Sequence, residues 1–395
     1  MHRSLFAVVL PIVAIAVHYF VALWFVGTVP WLRARKRTVV RVAMGLSLLA
    51  PAGRLMGVVS HGDFVVTLIA VGVTEWMIVL LGAIPLGLTR LGFLVFYRLS
   101  RGSRAASPEM PRDVAAPVLS RREAVERVAG ALAFGASTTM LGWGMVRGRH
   151  EFALEEVPVR LPGLPRTLDG YTIAQISDVH AGAFVGEREL GEGLSLVRAM
   201  KPDLVVVTGD LVDYDTRYAA WLAGELARLE TRDGVFAVLG NHDYYAGANA
   251  VASAVRRAGV DLLINDGRTI RGSDNGGFAL LGVDDLWARR SGGVGPDLAR
   301  AEAMVRADAP RVLLAHQPAY FDISSRSVGL QLSGHTHGGQ INPGFRPGDI
   351  FMRYIAGRYE GYGSTLWVNR GFGVAGPPSR VGAPPEVTKI ILVAA

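Results

Sequence analysis

Leu330-Gln331-Leu332-Ser333-Gly334-His335-Thr336-His337-Gly338-Gly339-Gln340 joins a short apolar run to two histidines set between glycines. A short run of this kind that stops at glycine reads as a buried strand, and the residues just after it fall at the strand's carboxyl end. In α/β sheets that edge is where ligands collect. The same arrangement recurs four times upstream. Asp178-Val179-His180 follows the run 171–177, Gly209-Asp210 and Asp213 follow 204–208, Gly240-Asn241-His242-Asp243 follows 235–239, and His316 follows 312–315. Further β-like runs stand at 278–283, 365–369 and 387–393, and helical periodicity appears between strands, as at Leu222, Leu226 and Leu229. The pattern predicts an α/β fold. The last two runs have no convincing helix between them, which predicts a second, partly antiparallel sheet.

Five of the nine histidines, His180, His242, His316, His335 and His337, lie in these strand-end motifs. Together with Asp178, Asp210 and Asn241 they make a nitrogen and oxygen set large enough for two ions, and Mn, Fe and Zn all accept such donors. The chain has no cysteine, so disulfides and thiolate ligands are excluded. Gly276-Gly277 and Gly292-Gly293 lack the spacing of a phosphate cradle and read as turns. Two cations about 3.5–4 Å apart neutralise the oxygens of a phosphate ester, supply hydroxide near neutral pH and stabilise both the attacking and the departing oxygen. Asn241 adds a neutral oxygen, which limits the negative charge around the ions.

The order D-x-H, GD-x-x-D, GNHD, a lone His and GHTH across residues 171–340 resembles the calcineurin-like metallophosphoesterases. The ending Asn369-Arg370-Gly371-Phe372-Gly373, with Pro377, Arg380 and Pro385-Glu386, resembles the membrane-linked bacterial branch of that superfamily. The resemblance implies a sandwich of two mixed β-sheets flanked by helices. It implies one metal on Asp178, His180, Asp210 and His337, and a second on Asp210, Asn241, His316 and His335, with Asp210 bridging. It also implies that His242 donates a proton to the leaving oxygen while Asp213 orients it. Arg380 is a candidate for binding substrate phosphate, with a solvated arginine as the alternative. Asp243, Asp284 and Asp285 read as turn or capping residues. Phe345, Phe351, Tyr354, Tyr359, Tyr362 and Phe372 read as core or loop packing, or else as a rim for a lipid-like substrate.

Residues 1–147 read as a membrane region with four apolar runs, 5–26, 42–60, 65–88 and 128–146. Glu75 falls inside the third, where a carboxylate faces other helices or water. The net charge of +7 gathers in the loops 27–41 and 89–127, so it reads as topology, and no nucleic-acid partner is expected. Both loops are cytoplasmic only if the amino terminus lies outside and everything after the fourth run is exported. Ser120-Arg121-Arg122-Glu123-Ala124-Val125 resembles an internal twin-arginine export signal, whereas Arg147 and Arg149 on the outer side argue mildly the other way. Residues 148–170, with Pro158, Pro162 and Pro165, read as a linking or edge segment before a catalytic domain at 171–395. The expected substrate is a phosphoester, lipid or cell-envelope derived. Two alternatives stand beside this: a lipid-linked sugar-nucleotide pyrophosphatase of the UDP-2,3-diacylglucosamine hydrolase type, which would act in the cytoplasm, and a non-catalytic scaffold on the same fold.

Overall fold

A computed structural model describes residues 2–56, 62–100, 121–272 and 276–394. The chain divides into two compact units, Met1–Val59 with Thr67–Gly142 and Ser60–Val66 with Trp143–Ala395. Helices α1 (His2–Thr28), α2 (Pro30–Arg33), α3 (Lys36–Ser47), α4 (Leu49–Met56), α5 (Asp63–Ser100) and α6 (Arg121–Val146) precede the first strand. Among the described residues three stretches are long and apolar enough to cross a bilayer, Pro11–Thr28, Lys36–Met56 and Asp63–Phe96. The expected fourth run, 128–146, is not among them. The run 128–146 does form a helix, but Gly130, Gly135, Ser137, Thr138, Thr139, Gly142 and Gly144 dilute its hydropathy. Glu75 meets another helix, with His18 Nε2 2.7 Å from its Oε2. Ser120 of the twin-arginine stretch, and residues 101–120 of the second basic loop, lie outside the described residues.

Among the described residues the second unit is built on twelve strands: β1 (Ala153–Leu161), β2 (Tyr171–Ile176), β3 (Leu204–Thr208), β4 (Val235–Val238), β5 (Asp261–Leu262), β6 (Asp266–Ile270), β7 (Phe278–Gly282), β8 (Arg311–Leu314), β9 (Leu330–Ser333), β10 (Gly357–Gly361), β11 (Ser364–Val368) and β12 (Glu386–Ala394). They form two six-stranded sheets, in the orders β1-β12-β2-β3-β4-β5 and β10-β11-β9-β8-β7-β6. Strands β2 to β5 run parallel, as do β7, β8, β9 and β11, whereas β12, β10 and β6 are antiparallel to β2, β11 and β7. Both sheets are therefore mixed. The expected second, partly antiparallel sheet is present; of the last two sequence runs, β11 joins it, while β12 inserts into the first sheet between β1 and β2. The stretch expected to link or edge the domain contains β1, which pairs with β12 over nine residues.

Side-chain alternation explains the layers. In β3, Leu204 and Val206 point between the sheets with Ile173, Phe236, Leu280, Val312 and Leu332, while Val205 and Val207 point outward. The outer face is covered by Leu190, Leu194 and Val197 of α7 (Glu187–Met200), Leu222 and Leu226 of α8 (Arg217–Ala227) and, beyond the short helix α9 (Asn241–Ala246), Val251 and Val255 of α10 (Ala248–Arg257). A strand buried on both faces needs a continuous apolar run, which is what 204–207 supplies. Each fully buried Leu or Val contributes about 1.5–3 kcal/mol relative to exposure, so the sheets form a rigid base for the loops at their carboxyl edges.

Candidate metal centre

The parallel strands of both sheets end in the loops that carry the polar motifs. Asp178 and His180 follow β2, Asp210 and Asp213 follow β3, Asn241 and His242 open α9 after β4, His316 follows β8, and His335 and His337 follow β9. Close packing requires glycine at two of these turns. A Cβ on Gly334 would stand 1.9 Å from Ser177 Oγ and 2.1 Å from an Asp178 carboxylate oxygen, and one on Gly240 would stand 2.2 Å from Asp210 Oδ1. Five of the seven candidate ligands have left-handed backbone, with φ of 52° at Asp178, 50° at His180, 51° at Asp210, 72° at His335 and 51° at His337. Side chains adopt this region only at a cost of about 1–3 kcal/mol per residue, met where the surrounding fold over-determines the conformation.

All seven sequence-designated ligands come together. Asp178, His180 and His337 present donor atoms within 4.8 Å of one another, as do Asp210, His316 and His335. Asn241 Oδ1 lies 3.2 Å from His316 Nε2. Asp210 sits between the two groups, with Oδ2 3.3 Å from His316 Nε2 and 3.6 Å from His180 Nε2. Nε2 of His180 and of His337 approach to 3.1 Å, as do His316 Nε2 and His335 Nδ1. Two imidazole nitrogens this close suit neighbouring ligands on one ion about 2.0–2.1 Å from each. Thr208 O, which can only accept, lies 2.9 Å from His316 Nδ1, so that nitrogen holds a proton and leaves Nε2 for an ion. The residues present therefore fit a pair of divalent cations.

The electrostatics of His335, His337 and Asp210 agree with that use, whereas at His316 burial is outweighed by Asp210 and Asp178, which hold its imidazole well above the usual range. Burial, then the neighbouring His316, pushes His335 down to about 3, while burial, His180 and Arg380 hold His337 well below the usual imidazole range. Both rings are neutral and keep lone pairs for a metal. Burial opposes the charge on Asp210, but His316 and His242 outweigh it and hold the carboxyl well below its usual range. Burial, by contrast, pushes Asp178 up. His242 stands beside the ligands with Nδ1 3.0 Å from Asp213 Oδ1. Burial would lower its pKa, yet the carboxylates of Asp210 and Asp213 prevail and raise it to about 9.

Arg380 does not take the expected place. It is 1% exposed, and its guanidinium donates to the carbonyls of Arg370, Gly371, Gly373 and Ala383, with Nη2 3.2 Å from His337 Nδ1. It clamps the loop 370–383 beneath His337, and burial lowers its pKa to about 9. Asp243 does more than cap a turn: its carboxylate accepts from Gly240 N, Leu211 N and Val212 N, tying the Asn241 loop to the Asp210 loop. Asp284 accepts from Gly295 N, and Asp285 from Trp287 N and Gln317 Nε2. Of the late aromatics, Tyr354 and Phe372 are buried, and Phe345, Phe351 and Tyr362 are exposed. The rings beside the site are others, Tyr214 and Tyr245 against His242 and Trp287 against His335. Their sequence signal is only that each follows a motif acid by one or two residues.

Residues 171–339 match the family model described as calcineurin-like phosphoesterase. The chain is 32% identical over 285 residues to an uncharacterized metallophosphoesterase of Bacillus subtilis, covering 69% of this chain and 98% of that protein. It is 32% identical over 293 residues to a transmembrane protein with metallophosphoesterase domain of Danio rerio, covering 70% and 67%. An uncharacterized metallophosphoesterase of Campylobacter jejuni is 33% identical over 239 residues, covering 59% of this chain, and the chain spans 61% of that relative's length.

Proposed function

The chain belongs to the calcineurin-like phosphoesterases, and on that footing we propose that it hydrolyses phosphoesters with a dinuclear metal centre, anchored in a membrane by several of its apolar helices. One divalent ion, Mn, Fe or Zn, is assigned to Asp178, His180, Asp210 and His337. The second is assigned to Asp210, Asn241, His316 and His335. The observation that carries the reading is the convergence of these donors from five strand ends of two sheets, with His335 and His337 held neutral.

When bound, the ions supply positive charge to the phosphoryl oxygens and acidify a water toward neutral pH. The chain's own residues do the rest. Asp213 engages His242 Nδ1, which leaves Nε2 as the nitrogen that holds a proton for the leaving oxygen. Asp243 fixes the two loops that carry Asp210 and Asn241 at one separation.

The basic loops favour an outside amino terminus, and with α6 as a fourth crossing the catalytic domain is extracytoplasmic. The finding of three sufficiently apolar stretches favours a second reading. With three crossings and the same charge bias the domain faces the cytoplasm, where a lipid-linked sugar nucleotide is a fitting pyrophosphate substrate.

The test is hydrolysis of bis-p-nitrophenyl phosphate and p-nitrophenyl phosphate by the detergent-solubilised full chain with added manganese. Turnover should require metal, vanish in Asp210→Asn and fall by about 10²–10⁴-fold in His242→Ala. A chain that binds no metal would overturn the proposal. Metal binding without turnover on any phosphoester would leave a scaffold.

A further inference from the structure

The base of the site is polar, but the side where His242 stands is walled by aromatic rings. The His242 ring centroid lies 5.0 Å from that of Tyr214 and 5.3 Å from that of Tyr245, with interplanar angles of 56° and 58°. The two tyrosine planes are nearly parallel, 13° apart, with centroids separated by 6.5 Å. Both rings are half-buried, so part of each remains open to solvent. They come from different places in the fold, Tyr214 from the loop after β3 and Tyr245 from α9 after β4, and meet because those strands are neighbours in the sheet.

This position has a chemical meaning in the proposed hydrolysis. With Nδ1 engaged by Asp213 at 3.0 Å, His242 can meet the leaving oxygen only through Nε2. Whatever group is attached to that oxygen then lies beside the same imidazole, within ring-contact reach of both tyrosines. A flat ring gains about 0.5–1.5 kcal/mol from offset or edge contacts with such faces beyond what area burial alone gives a saturated group. We infer that Tyr214 and Tyr245 form a leaving-group subsite for a flat ring, so that the substrates are phosphoesters of an aryl or nucleoside-like alcohol. The inference rests on the hydrolase reading above. In the reaction a water oxygen bonds to phosphorus and gives up one proton to solvent, the bond from phosphorus to the ring-bearing oxygen breaks, and that oxygen takes the proton from His242 Nε2, which solvent then restores. The products are the free alcohol and a phosphate carrying the water's oxygen.

The experiment uses the full chain in detergent with manganese and compares kcat/KM for methyl phenyl phosphate and methyl cyclohexyl phosphate, which have similar size but differ in flatness. Intrinsic reactivity cancels when the phenyl-to-cyclohexyl ratio is compared across variants. The ratio should fall about tenfold in a Tyr214→Leu/Tyr245→Leu double variant, a factor equal to about 1.4 kcal/mol and within reach of two ring contacts. It should be retained in Tyr214→Phe and Tyr245→Phe, which keep the rings and guard against a folding defect. An unchanged ratio in the double variant that still turns over, or a lost ratio in the Phe variants, would overturn the subsite. If the wild-type chain hydrolyses neither ester, nor the two nitrophenyl esters above, the hydrolase reading is what fails; in either case calorimetric binding of benzyl phosphonate against cyclohexylmethyl phosphonate then decides the subsite alone. Tighter benzyl binding that disappears in the double variant supports it, and equal binding sinks it.

Discussion

Replacing Arg380 by lysine separates a loop clamp from a substrate ligand. The guanidinium donates to four carbonyl oxygens, those of Arg370, Gly371, Gly373 and Ala383, through five hydrogen bonds, and the residue is 1% exposed. Lysine keeps the charge but has three N–H groups on one nitrogen and no planar fork, so at least two of the five bonds are lost. A hydrogen bond to a charged group contributes about 1.5–3 kcal/mol, which makes the cost of Arg380→Lys about 3 kcal/mol or more. For a domain of this size each kcal/mol lowers Tm by about 2–4 °C, so the catalytic unit should melt about 6–12 °C earlier. Metal content should fall with it, because His337 rests against the same guanidinium. The assay is thermal unfolding of the full chain followed by intrinsic fluorescence, with metal analysis and a KM determination on the same samples. A Tm within about 2 °C of wild type together with a tenfold rise in KM would refute the clamp and restore Arg380 as a phosphate ligand.

His242 in the metal-free chain should titrate with a midpoint of about 9 by NMR of its imidazole, and Asp213→Asn should lower that midpoint by about one unit or more. A folded-state pKa raised above the unfolded value of about 6.5 means that the pair's stabilisation is complete below that pH and is lost as pH rises through about 9. A measured midpoint under 7 would contradict the assignment. For topology, Met304→Cys creates the sole thiol of a chain without cysteine, at a position 59% exposed. An impermeant maleimide should label it in intact cells if α6 crosses the bilayer, and only after permeabilisation if it does not.

Strand-end chemistry was legible because it needs short, local signals: an apolar run, a glycine, then donors. The strand-end positions of all seven candidate ligands and of His242 and Asp213 could be read that way, whereas their division between two ions and the acid role of His242 rested on the family resemblance. The edges of the sheets could not. Strand β1 contains Pro158, which breaks a strand pattern, yet an edge strand tolerates proline where no hydrogen bond is required of it. Strands β5, β6 and β10 are short or half-exposed, so they lack a sustained apolar period. The insertion of β12 beside β2 is a non-local pairing across more than two hundred residues, for which local sequence carries no signal. Arg380 was misplaced for a related reason: sequence shows a cation near a motif, but not that four carbonyls turn inward to surround it.

The left-handed backbone at Asp178, His180, Asp210, His335 and His337 bears on the chain's history. Glycine would sit at each of these positions without strain and asparagine with little, so selection for stability alone would reward exchanging them. A protein relieved of turnover and kept as a scaffold would be free to make those exchanges, one position at a time and each worth up to a few kcal/mol. None has been made. At all five positions this sequence keeps a side chain that can hold a metal, at the cost of that strain.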